Sequence, residues 1–152
     1  VSYSSATSIT ANFTLTVDAS YKIIVINPNT GSSGISSSAI LTVSDAPTFS
    51  TAAGSLGTIA GNFSGTVATV AASSDSSVTF SETTNVLTNG SQANCTLNSS
   101  TGAITTTDFG GASTTATTYT FTIRATDAEG QTVDREFTLT SSFGSSGGGQ
   151  FN

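Results

Sequence analysis

Histidine, methionine and tryptophan are absent from the 152 residues, cysteine occurs once, proline twice, and Lys and Arg together three times. Each scarcity removes a class of function. Without His, a Ser or Cys nucleophile has no imidazole base, and a Ser–Lys dyad would rest on Lys22 alone. Three basic residues in a chain of net charge −6 cannot form the cationic surface that a nucleic-acid backbone requires. The single Cys95 excludes an intrachain disulfide. In "QANCTLN" it shares strand parity with Ala93 and Leu97, so it reads as a small buried core residue. No apolar run approaches the length of a membrane span and no signal peptide is visible, so membrane insertion is not expected. A chain lacking its own initiator Met is expected to be processed or to be a piece of something longer.

What fills the space is hydroxyl. Ser and Thr supply more than a third of the chain, while charged residues are 8% and hydrophobic residues 36%. Thr is β-branched, favours strands, and keeps the outer face of a sheet wet. Val, Ile, Leu and Phe recur with a period of two, which argues for sheet and against disorder. No helical period of useful length occurs. Composition of this kind suits extracellular stalks, fibres and particle coats.

The chain divides near "SDAP", residues 44–47, where Pro restricts the backbone and the pattern restarts. Before it, "SITANFTLTV" puts Ile9, Ala11, Phe13, Leu15 and Val17 on one face and predicts a half-buried strand. "YKIIVIN" is apolar on both parities and predicts a more buried one. "NPNTGSSG" is a turn, and "SSAILTV" a closing strand. The stretch Tyr21 to Val43 resembles the second half of an IPT/TIG-type immunoglobulin-like domain. Nothing before it corresponds to that family's opening strands, so residues 1–46 are expected to be a partial unit. Half a sandwich cannot bury its inner face alone. Upstream residues or strands from another chain are therefore expected to complete it.

Residues 47–141 have the size of one sandwich. Strands are expected at Thr48–Ser50, Thr66–Ala72, Val78–Ser81, Ala93–Leu97, Ala103–Thr106, Thr118–Thr126 and Thr132–Thr140, with turns at "AAGS", "SSDSS", "TNGS" and "NSSTG". The T-G-x-I turn at Thr101–Ile104 and the Y-x-F-x-I-x-A-x-D-x-x-G run from Tyr119 to Gly130 are similar to cadherin-like and Ig-like repeats of large surface proteins and phage structural proteins. The fold class is thus all-β: tandem immunoglobulin-like β-sandwiches, the first one partial. Residues 142–152, Gly/Ser-rich, are expected to form a flexible tail.

Four of the nine acidic residues and two of the three basic ones fall between Thr118 and Thr140. Cadherin-like domains that bind calcium carry Asp-Arg-Glu after the T-G-x-I strand, and an Asp-rich linker. Here that position offers only Asp108 and the linker only Asp45. "VDREF", with Asp134 and Glu136, follows the Ala-x-Asp strand instead. Six to eight oxygens would have to converge from dispersed acids, so no metal and no cofactor are expected. The pairs Asp127/Glu129 and Asp134/Glu136 are neighbours on one hairpin, not acids facing across a cleft, and no catalytic residue is assigned.

The cluster reads as a hairpin. "AEG", residues 128–130, makes a three-residue loop with Gly130 left-handed. Asp127 opposite Gln131 sets Ala125 against Val133, Phe121 against Phe137 and Tyr119 against Leu139 on the inner side. Outside, Arg124 meets Asp134, with Glu136 one diagonal step away. Arg135 shares the inward parity and is expected near the sandwich's open end, its head reaching water or an acid. Sequons at Asn12, Asn62, Asn89, Asn94 and Asn98 permit glycosylation where a host glycosylates.

The function expected is that of a non-enzymatic virion structural protein, a phage fibre or capsid decoration module displayed on the virion surface. The alternative is a bacterial extracellular adhesin, surface-layer or filament subunit. Partners are expected to be further copies of the chain or other virion or surface proteins. Host-surface glycans are a further class, although the aromatics that usually stack on sugars are reduced here to Tyr3, Tyr21 and Tyr119.

Overall fold

The computed structural model describes residues 2–5, 8–27, 29–31, 33–111 and 113–142. The described residues form strands and turns without a helix, in two compact units, Val1–Asp45 and Ala46–Asn152. The expected tail lies outside the described residues from position 143 onward, and Ser142 itself still belongs to a strand.

The first unit consists of three separate two-stranded ladders. Strand β1 (Ser2–Ser5) pairs with β2 (Ser8–Thr10), β3 (Ala19–Tyr21) with β6 (Leu41–Val43), and β4 (Ile24–Ile26) with β5 (Ser33–Ile35), all antiparallel. The turn in "NPNTGSSG" closes through the Gly31 N–H donating to the Asn27 carbonyl at 2.9 Å. Two expectations fail here. The alternating run from Ile9 to Val17 is strand only as far as Thr10, and "YKIIVIN" is split between two ladders and exposed rather than buried. Alternation sorts side chains into an inner and an outer face, but burial also needs a second sheet to receive the inner face. Within this unit the three ladders supply no such layer.

The second unit has that layer. One sheet has the order β11 (Thr79–Glu82), β14 (Thr117–Thr126), β15 (Thr132–Ser142), β8 (Gly54–Ala60). The other runs β12 (Cys95–Leu97), β13 (Ala103–Thr106), β9 (Gly65–Thr69). A short ladder joins β7 (Thr48–Phe49) to β10 (Ala72–Ser73). Threonines alternate outward along β14 and β15, leaving Tyr119, Phe121, Ile123, Ala125, Phe137 and Leu139 buried. Phe49, Val67, Val70, Leu87, Ile104 and Phe109 meet them in one core. Each large side chain buried this way contributes about 1.5–3 kcal/mol. Edge-to-face packing of Phe49 on Phe137 (5.7 Å) and Phe109 on Tyr119 (5.9 Å) adds shape specificity.

Hairpin β14–β15 has the expected register from Thr117↔Ser141 to Thr126↔Thr132, including Phe121↔Phe137, Tyr119↔Leu139, Ala125↔Val133 and Arg124↔Asp134. The Asp127 N–H donates to the Gln131 carbonyl at 3.1 Å, and Gly130 has φ +87°, as the three-residue loop requires. Strand β8 is absent from the sequence reading, which placed a turn at "AAGS". Only Leu56 and Ile59 mark its buried parity, and β8 pairs parallel to β15 with a register shift between Thr138 and Thr140. The expected single strand Thr66–Ala72 is broken into β9 and β10.

Candidate functional site

The acidic cluster resolves into structural contacts. Arg124 Nε and Nη2 donate to Asp134 Oδ1 and Oδ2, both at 2.7 Å, in a two-pronged exposed pair. The hydrogen bonds and opposite charge hold the Asp134 carboxyl below its ordinary range and raise the guanidinium. Glu136 lies opposite Thr122 and is exposed. The Glu129 carboxylate accepts from Ser76 Oγ, which in turn accepts from the Ala128 N–H at 3.1 Å, so the 73–77 loop is stitched to the hairpin tip. Asp127 is buried, its Oδ1 accepting the Gln131 N–H at 2.7 Å. Its Oδ2 has no partner among the described residues.

Arg135 corrects an expectation. Its Nη1 donates to the carbonyls of Thr51 (2.7 Å) and Phe49 (3.3 Å), and its guanidinium lies 5.3 Å from the centre of the Phe49 ring. The head reaches backbone oxygens and an aromatic face rather than water or an acid, because the chain leaving β7 presents carbonyls there. Asp45 and Asp108 do not join the hairpin acids. Among the described residues no group of three or more His, Cys, Asp or Glu is placed to hold a metal ion.

Sequence reasoning missed Glu82. Its carboxylate accepts the N–H groups of Val86 (2.6 Å), Leu87 (2.7 Å) and Thr88 (2.9 Å), together with the hydroxyls of Thr84 and Thr88. Burial raises its pKa, but the hydrogen bonds from Leu87, Thr88 and Val86 together outweigh burial and leave it lowered. The loop is thereby wound around one anion and delivers Leu87 into the core. The available signal was an acid at a strand's end, followed within six residues by a turn of small polar residues.

Cys95 is buried, and desolvation pushes its thiol up to about 11, so it is not poised as a nucleophile. Lys22 Nζ donates to the Ser37 carbonyl at 3.2 Å and so serves as a tie within the first unit. Of the sequon asparagines, Asn12, Asn62 and Asn98 are exposed. Asn89 and Asn94 are half-buried, and Asn94 Nδ2 donates to the Asp108 carbonyl at 2.9 Å.

The feature that does call for a partner is on the first unit. Ile9, Phe13, Ile24, Val25 and Ile26 are between 49% and 65% exposed, and with Ala11 and Ile23 they line one groove of about 470 Å³. Val17, Ile35 and Ile40 are exposed to a similar degree. In a monomeric soluble protein a contiguous apolar patch of this extent marks an interaction surface.

Taken with the sheet orders of the second unit, and the parallel pairing of its opening strand with its last, these features place the architecture among known folds. The fold is a cadherin-like, immunoglobulin-type β-sandwich. The chain is similar to the protocadherin gammaB7 EC3-6 cis-dimer structure, with 15% identity and a TM-score of 0.51 over 72% of this chain and 28% of that one. It is similar to the protocadherin GammaB4 extracellular domain, with 19% identity and a TM-score of 0.51 over 72% of this chain and 19% of that one. The chain therefore spans less than a third of either. No protein-family model and no curated protein matches it.

Proposed function

We propose that this chain is a non-enzymatic structural module of an extracellular assembly, displayed on a virion as part of a fibre or capsid decoration. The observation that carries the reading is the apolar face of the first unit, set in a chain whose second unit is a closed sandwich. One part is built to be covered and the other to hold its shape alone. The scarcity of charge and the Thr-rich outer faces support a role in packing and spacing. The virion assignment rests on the combination of IPT/TIG-like and cadherin-like sequence features. A bacterial surface-layer, filament or adhesion module is the second reading, favoured by the likeness of fold to extracellular cadherin structures that include a cis-dimer.

The test is fractionation of the producing culture, with the chain quantified by mass spectrometry in purified particles, cell envelope and soluble cell contents. Enrichment with particles supports the virion role, and enrichment with envelope supports the second reading. Recovery only with soluble cell contents would sink both.

A further inference from the structure

We infer that the groove on the first unit is a self-association site, in which two copies bring their Ile9, Phe13 and Ile23–Ile26 surfaces together about a two-fold axis. This deepens the assembly reading above and rests on it.

Area and charge both point to a second copy. The large side chains of the groove, from 40% exposed at Ile23 to 65% at Ile26, present on the order of 600 Å² of apolar surface, somewhat below the roughly 800 Å² each partner gives to a standard interface. Two such faces meeting bury enough for a weak, concentration-dependent dimer and too little for an obligate one. Asp18, Asp45 and Lys22 are the first unit's whole charge complement, a net −1 of the chain's −6. None of the three lines the groove. Two first units therefore meet with almost no like-charge repulsion, whereas an approach through the second unit brings together surfaces of net −5. An acidic or basic partner would find no charge in the groove to recognise. An apolar face that is its own complement satisfies an isologous contact, in which each copy gives and receives the same residues.

The experiment is sedimentation equilibrium of the whole 152-residue chain across a concentration series, at low and high salt. The expected result is a rise from monomer to dimer mass with no larger species, undiminished by salt. The double variant Ile24→Asp/Ile26→Asp alters two exposed groove residues and is expected to stay monomeric throughout. Ile40→Asp, exposed but outside the groove, is expected to dimerise like the parent. Circular dichroism and the thermal melt of the second unit check that each variant remains folded. A parent chain that stays monomeric up to about 1 mM, where even a millimolar Kd would show, overturns the proposal. So does open-ended growth beyond the dimer, or a double variant that associates as the parent does. Such failure concerns the self-contact alone, because the assembly reading is decided separately by where the chain is found in the culture.

Discussion

Gly102 turns the chain from β12 into β13 at φ +67°, its N–H donating to Asn98 O and its carbonyl accepting from Val70 N. A Cβ there would fall 2.1 Å from the Val70 carbonyl oxygen. Left-handed strain and overpacking compound, so Gly102→Ala is expected to cost about 2–5 kcal/mol, read as a lowered Tm. Gly130 is equally left-handed, but open space surrounds it. Gly130→Val should therefore cost about 1–2 kcal/mol from backbone strain alone. That is less than Gly102→Ala and more than Asp134→Ala, which removes only an exposed pair. Glu82 carries a pH dependence. Its folded pKa lies below the ordinary value of 4.5, so its stabilisation is fully present above that value and is lost as pH falls through the lower, folded one. Glu82→Ala strands three backbone donors and is expected to cost about 1–3 kcal/mol near neutrality. Acid-titration melts should show the variant losing less stability than the parent as pH falls below 4.5. Cys95 should resist thiol reagents in the folded chain and react once the second unit is unfolded.

Among the elements, β14 and β15 were the most legible, because ten consecutive paired residues alternate and a one-residue slip would turn Phe121, Phe137 and Leu139 outward. Strand β8 was illegible for the opposite reason. With glycines at 54 and 57 and only two large apolar residues, it is held by its place beside β15 rather than by its own pattern. Arg135 shows the limit of parity. Alternation placed its side chain inward, but only the fold brings the Phe49 and Thr51 carbonyls to meet it. Replacing Arg135 with Gln is expected to loosen the β7 end selectively. Hydrogen exchange should speed at Ser50 and Thr51, whose N–H groups donate to the Ala71 carbonyl, while the β14 amides stay protected. Uniform acceleration across the sandwich would show that Arg135 is not a local clamp.

Over the whole chain, the two units answer the same apolar patterning in opposite ways. Both alternate Ile, Val, Leu or Phe with Ser and Thr. The second closes two sheets on each other, whereas the first leaves Ile9, Phe13 and Ile23–Ile26 facing outward. Patterning alone told which side chains seek burial, but not whether the burying surface lies within the same unit. The central claim is that the first unit is completed by association and the second is complete in itself. Hydrogen exchange on the intact chain across protein concentration tests this most directly. The prediction is that amides of β14 and β15 are protected equally at every concentration, while those of Tyr21–Ile26 and Leu41–Val43 gain protection as concentration rises. Full, concentration-independent protection of the first unit in dilute monomer would contradict the account.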